Sequence, residues 1–110
     1  MNPTLCLDTA GVTFGIDLPA AVWQAPVIER YAEFISATEP AWHVTLVHDP
    51  ALGFTSAPWV RHDGPVTTFR VSDHAGRLDL DGQTAEISAP SPARAGSALD
   101  RVLSYVCMQA

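Results

Sequence analysis

The sequence predicts an α+β fold, an antiparallel sheet with two helices packed on one face, in a two-layer sandwich. Three observations carry that prediction. Six segments alternate apolar and polar residues with period two, turn residues separate most of them, and two further segments repeat apolar residues at helical spacing. Strands with one apolar face each, joined by hairpins, make a sheet with one wet side, and the two helices are the elements available to cover the other.

At the start, Leu5 and Leu7 share one face, Thr9-Ala10-Gly11 breaks the run, and Val12, Phe14, Ile16 and Leu18 alternate with Thr13, Gly15 and Asp17. This is a hairpin ended by Pro19. Pro26 suits the first turn of a helix. Ile28, Tyr31, Ala32 and Ile35 then fall on one face, extended by Phe34, with Glu29, Arg30 and Glu33 outside. Ser36 to Pro40 breaks the helix, and Trp42, Val44 and Leu46 form the next strand. Asp49 to Pro65 reads as one long irregular stretch, punctuated by Pro50, Gly53, Pro58, Gly64 and Pro65.

A three-strand meander follows: Thr67, Phe69 and Val71, then Leu78 and Leu80, then Ala85, Ile87 and Ala89. Asp73-His74-Ala75-Gly76 is its first turn and Asp81-Gly82 its second, as a two-residue hairpin. Pro90 to Gly96 links to a last helix with Ser97 as N-cap, Asp100 in its first turn, and Leu99, Val102, Leu103 and Val106 inward. The order is β-β-α-β-β-β-β-α over residues 1–110, a single domain. Its expected core is Val12, Phe14, Ile16, Ile28, Tyr31, Phe34, Val44, Leu46, Phe69, Val71, Leu78, Leu80 and Ile87.

Composition bounds the function. With 47% hydrophobic and 16% charged residues, 110 residues bury a real core rather than form a disordered tail. No apolar run approaches the ~20 residues that span a bilayer, and the first residues lack the basic and apolar regions of a secretory signal, so the expected location is the cytoplasm. All six basic residues are Arg, and with twelve acids the formal net charge is −6. That balance argues against nucleic acid and against anionic lipid as partners.

The chemistry-bearing residues are sparse. His48-Asp49, His62-Asp63 and Asp73-His74 each set an acid beside an imidazole, but neighbours on a strand point apart, so these read as turn chemistry. A phosphate-binding loop of the Walker type requires a Lys, and the sequence has none. Asp79 and Asp81 share a wet face, where carboxylates are ordinarily solvated. Cys6 and Cys107 lie at opposite ends of the chain; they read as two small buried hydrophobes, with a disulfide as the alternative. The expectation is therefore no catalytic residues, no metal and no cofactor. Phe54 and Trp59, aromatic residues in the long irregular stretch, are candidates for binding a partner. Tyr105 and Met108 join them, because one helix-on-sheet contact does not bury every apolar residue of the last helix.

The run Gly11-Val12-Thr13-Phe14, the helix with Arg30-Tyr31-Ala32-Glu33-Phe34-Ile35, the alternating strand after it and the apolar helix from Leu99 to Ala110 together resemble the region before the P-loop in bacterial proteins related to HPr kinase/phosphorylase. The resemblance spans most of the chain on loose motifs. The nucleotide-binding loop and the rest of the kinase core are not in this sequence, and no matching position is a catalytic one. What the resemblance implies is a non-catalytic accessory or recognition domain, the front piece of a longer or split kinase-like protein. The alternative is a free-standing protein- or peptide-binding module, possible as a homodimer.

Overall fold

The computed structural model describes residues 4–109. Seven strands form one sheet, β1 (Thr4–Thr9), β2 (Val12–Asp17), β3 (Trp42–His48), β4 (Trp59–Asp63), β5 (Val66–Val71), β6 (His74–Asp79) and β7 (Thr84–Ala89), in the order β1-β2-β3-β7-β6-β5-β4. Helices α1 (Gln24–Tyr31) and α2 (Ala95–Gln109), each with flanking 3₁₀ turns, pack against it. The α+β class and the helix-on-sheet layering are those the sequence predicts. Ala110, taken above as the end of the last helix, lies outside the described residues.

The sheet is antiparallel at four of its joints, but β2 pairs with β3 in parallel and β3 with β7 in parallel. The reason lies in the connections. A strand followed by a helix returns the chain to the end from which it started, so β3 runs alongside β2 in the same direction. The strand β7 then comes back from the meander and fills the other side of β3. Reading hairpins alone gives the antiparallel joints and misses these two.

The seventh strand is β4, inside the stretch that reads as irregular. All five of its residues are exposed, so it carries no alternation for a pattern to find. Gly64-Pro65, which looks like a pair of breakers, is the two-residue turn between β4 and β5, with Gly64 at φ 58 where a Cβ would be strained. Conversely, Asp81-Gly82 lies inside a four-residue connection from Leu80 to Gln83. Asp79 Oδ1 accepts the amides of Asp81 and Gly82, both at 3.1 Å, and Gln83 takes the left-handed position at φ 53. At Asp73-His74 the turn is shifted: Ser72 (φ 54) and Asp73 turn the chain, and His74 already begins β6.

The core lies between the sheet and the helices. Phe14, Ile16, Val44, Leu46, Phe69, Leu78 and Ile87 are buried as expected, with Leu99, Val102, Leu103 and Val106 from α2. The inward face of α1 differs from expectation. Ile28, Phe34 and Ile35 are 38%, 42% and 45% exposed, and the buried residues are Trp23, Val27 and Tyr31, of which only Tyr31 belongs to the expected face. Those three residues are spaced i, i+4, i+8, so they form a single stripe. The Trp23 ring sets its phase by meeting His48 at the end of β3 edge to face, 5.2 Å between centroids. Val12, Val71 and Leu80 are partly buried at the core's margin.

Helix α2 begins at Ala95, led in by a 3₁₀ turn with Pro92 at its first position, so Ser97 and Asp100 are helix-interior residues rather than cap residues. Asp100 instead holds the helices together. Its carboxylate accepts hydrogen bonds from the guanidinium of Arg30 and the hydroxyl of Tyr31, both on α1. Burial raises the Tyr31 hydroxyl above its ordinary pKa, and the neighbouring carboxylate adds to that, so the phenol stays a donor.

Gly76 on β6 faces the core between Phe69 and Ile87 of the flanking strands. A Cβ there would lie 2.5 Å from Phe69 Cζ and 2.8 Å from Ile87 Cδ1, inside any normal contact. Gly76→Ala is expected to destabilise the fold by about 1–3 kcal/mol through overpacking, read as a lower urea midpoint at unchanged slope.

Candidate recognition site

The four residues expected to meet a partner are spread over the molecule. Phe54 is 74% exposed in the β3–β4 loop, with the Arg94 guanidinium 5.5 Å over its ring. Trp59 opens β4 on the sheet face away from the helices, with Arg61 5.7 Å over its ring and Thr68, Arg70 and Arg77 as neighbours. Met108 is 80% exposed on the outer side of α2, where it shares a shallow groove with Tyr105. Tyr105 alone turns back toward the sheet.

The helices leave one end of the sheet uncovered. Helix α2 lies against β7 and β6, and between its flank and β4–β5 there is a cleft of about 150 Å³. Val60, Phe69, Val71 and Leu78 make its apolar wall, and His62, Thr67, Tyr105 and Arg101 bring polar groups to it. Thr67 is only 3% exposed. Its hydroxyl lies 3.0 Å from His62 Nδ1 and 3.4 Å from the Tyr105 hydroxyl. The Thr67 hydroxyl, one donor and an acceptor, can donate to one of these partners while accepting from the other. A volume of this size takes one side chain and is well below the ~300 Å³ at which small-molecule pockets begin.

Beside the cleft runs an unpaired sheet edge. Asp63 and Val66 close a two-residue turn, so they exchange both backbone hydrogen bonds, and strict alternation then directs the amides and carbonyls of Val60 and His62 away from β5. No described strand takes them up. The opposite edge, β1, is different: Ile35 bridges to Leu7 and the Ser36 amide donates to the Cys6 carbonyl at 2.9 Å. One edge is thus partly covered and the other open.

A second polar cluster is buried nearby. Asp73 and His74 are almost wholly inaccessible, with side chains 4% and 2% exposed. Asp73 accepts from Arg94 Nε at 2.7 Å, from Arg94 Nη2 at 3.2 Å and from His74 Nδ1 at 3.2 Å. The sequence argument that strand neighbours point apart fails here because Asp73 is in the turn, and its carboxylate curls back over His74. Hydrogen bonds from Arg94 hold the Asp73 carboxyl below the usual range, with His74 adding to them. Burial lowers the pKa of His74, despite the adjacent carboxylate. The neutral ring donates from Nδ1, and Nε2 is buried without a partner among the described residues. A carboxylate orienting an imidazole is the geometry of a general base; here the pair is buried, with Arg94 also on the carboxylate.

The remaining sequence candidates are dispersed. Asp79 uses an oxygen on its own turn amides. Cys6 and Cys107 are both free and half-buried, with Cys107 Sγ 3.4 Å from the Thr9 hydroxyl. Among the described residues no three His, Cys, Asp or Glu side chains gather as a metal site, and no helix is long and apolar enough to cross a membrane. A larger concavity, at Gly11–Thr13, Ala41, Trp42, Leu80, Gln83 and Val106, is shallow and contains no charged side chain. Compared with known families, curated proteins and solved structures, the chain finds no match.

Proposed function

We propose that the chain is a non-catalytic recognition module that receives an extended segment of a protein or peptide along β4. The observation that carries this reading is the open β4 edge lying directly beside a one-side-chain cleft. Backbone groups of Val60 and His62 supply sequence-independent pairing, and the cleft reads one side chain of the incoming strand, which is how strand addition divides affinity from specificity.

Val60→Pro tests it. The Val60 amide points away from β5, so proline there removes an outward donor while leaving the β4–β5 ladder intact. The full chain, labelled and applied to an array of random octapeptides, is expected to bind a subset rich in β-forming residues. The proline variant, with unchanged circular dichroism and thermal midpoint, is expected to lose at least tenfold in affinity for that subset. Equal binding by both proteins would refute pairing at this edge.

The resemblance to the segment before the P-loop in HPr kinase/phosphorylase relatives supplies a setting for such a module, in which the captured segment is presented to a kinase core. That setting has its own test in the genomic DNA after codon 110: an in-frame Gly-rich loop with a Lys is the expected result, and a stop codon the contrary one.

A further inference from the structure

Resting on the strand-addition reading of β4, we infer that the segment it receives carries a carboxylate. The inference comes from what lines the cleft and what does not. In a chain with twelve acids, none of the eight lining residues is Asp or Glu. Arg101 is exposed on the rim and makes no ion pair or side-chain hydrogen bond among the described residues, in contrast to Arg30, Arg70 and Arg94, whose guanidinium groups are all engaged. An unpaired guanidinium in a cleft without acids matches a carboxylate, which accepts charge-assisted hydrogen bonds on both oxygens.

The strand sets where an incoming residue can enter. Val60 and His62 are the two residues of β4 whose side chains lie on the cleft side and whose backbone groups point outward. Residues directly opposite each other in a ladder share a face. An incoming strand therefore turns the residues opposite Val60 and His62 toward the cleft, whose lining also includes Phe69 and Arg101. A second copy of this chain is a poor occupant. With two-fold pairing through the outward groups of Val60 and His62, Arg61 would lie opposite Arg61 of the partner, and each copy carries a net charge of −6.

The same octapeptide array, read out for sequence preference, tests the inference. Bound peptides are expected to be enriched in Asp or Glu. Arg101→Gln is expected to weaken the acidic peptides about tenfold and to leave their Asn or Gln counterparts unchanged, with Arg101→Lys restoring part of the loss. Side-chain and C-terminal carboxylates are separated by anchoring the array through either end: a preference surviving attachment through the C-terminus belongs to a side chain, one requiring a free C-terminus to the α-carboxylate, and either supports the inference. Peptides that bind in a Val60-dependent way, but equally well as acid or amide, overturn the carboxylate and leave strand addition standing. Absence of any Val60-dependent peptide overturns strand addition, and the carboxylate with it. A concentration-dependent dimer in sedimentation, abolished by Val60→Pro, overturns the peptide in favour of a second copy.

Discussion

Replacing Phe14 with alanine is expected to cost about 3–5 kcal/mol, a large part of the 5–15 kcal/mol that holds a typical domain together. Phe14 is fully buried on β2, directly opposite Leu7 of β1 and Trp42 of β3, with the helices over it. Hydrogen-bonded strands on both sides fix its neighbours, so the hole left by the ring collapses poorly and the upper part of the range applies. Phe69→Ala should cost less, because Phe69 borders the cleft and water can reach the vacated space. Urea titration of the two variants checks the order; a Phe14 loss under 1 kcal/mol would mean that the core lies elsewhere.

The second large effect is expected at the buried Asp73. Its removal in Asp73→Ala leaves His74 without its acceptor and Arg94 without its counter-ion, at about 2–4 kcal/mol. The value stays below that of a fully enclosed pair because Arg94 is 37% exposed and regains water. The cluster also sets the response to acid. His74 has a folded pKa below the ordinary 6.5, because burial penalises its charged form. Its stabilising contribution is therefore complete above 6.5, where both states are neutral, and is lost as pH falls through the folded value. Asp73 is held below the ordinary 3.8, so its contribution is complete above 3.8 and disappears as pH falls through its own folded value. Stability should decline in two stages on acidification. In His74→Gln the first stage should flatten, and in Asp73→Ala the second should shrink; unfolding midpoints measured from pH 7 to pH 3 would show both. A wild-type midpoint constant between pH 6.5 and 4 would contradict the assignment of His74.

What the sequence reveals depends on where burial leaves a pattern. The strands β2, β3 and β7 have one buried face and alternate visibly, and the inner stripe of α2 follows from Leu99, Val102, Leu103 and Val106. In α1 the pattern misleads, because Ile28, Tyr31, Ala32 and Ile35 form as plausible a stripe as Trp23, Val27 and Tyr31. Only the contact between Trp23 and His48, distant in sequence, decides between them. The β4 strand gives no signal because neither of its faces is buried, and that same exposure makes it available to another chain. The candidate site is hidden for a related reason: of its polar residues only Tyr105 stands out in the sequence, while His62, Thr67 and Arg101 become a group through the β4–β5 register and the position of α2. A Gly-Pro pair read as a hairpin turn rather than a break would have exposed both the strand and the cleft.

The two parallel joints give synthesis of this protein a direction. Every antiparallel joint is a hairpin between consecutive strands and closes locally, but β3 lies inside the sheet between partners that the chain reaches only by detours. Its far side is filled by β7, the last strand to leave the ribosome. Until then a nascent chain presents β3 with an unfilled edge and an apolar face still waiting for α2, the surface on which aggregation begins. An inner strand of this molecule is made early and paired late, so the time its edge stays open is set by translation from His48 to Ala89.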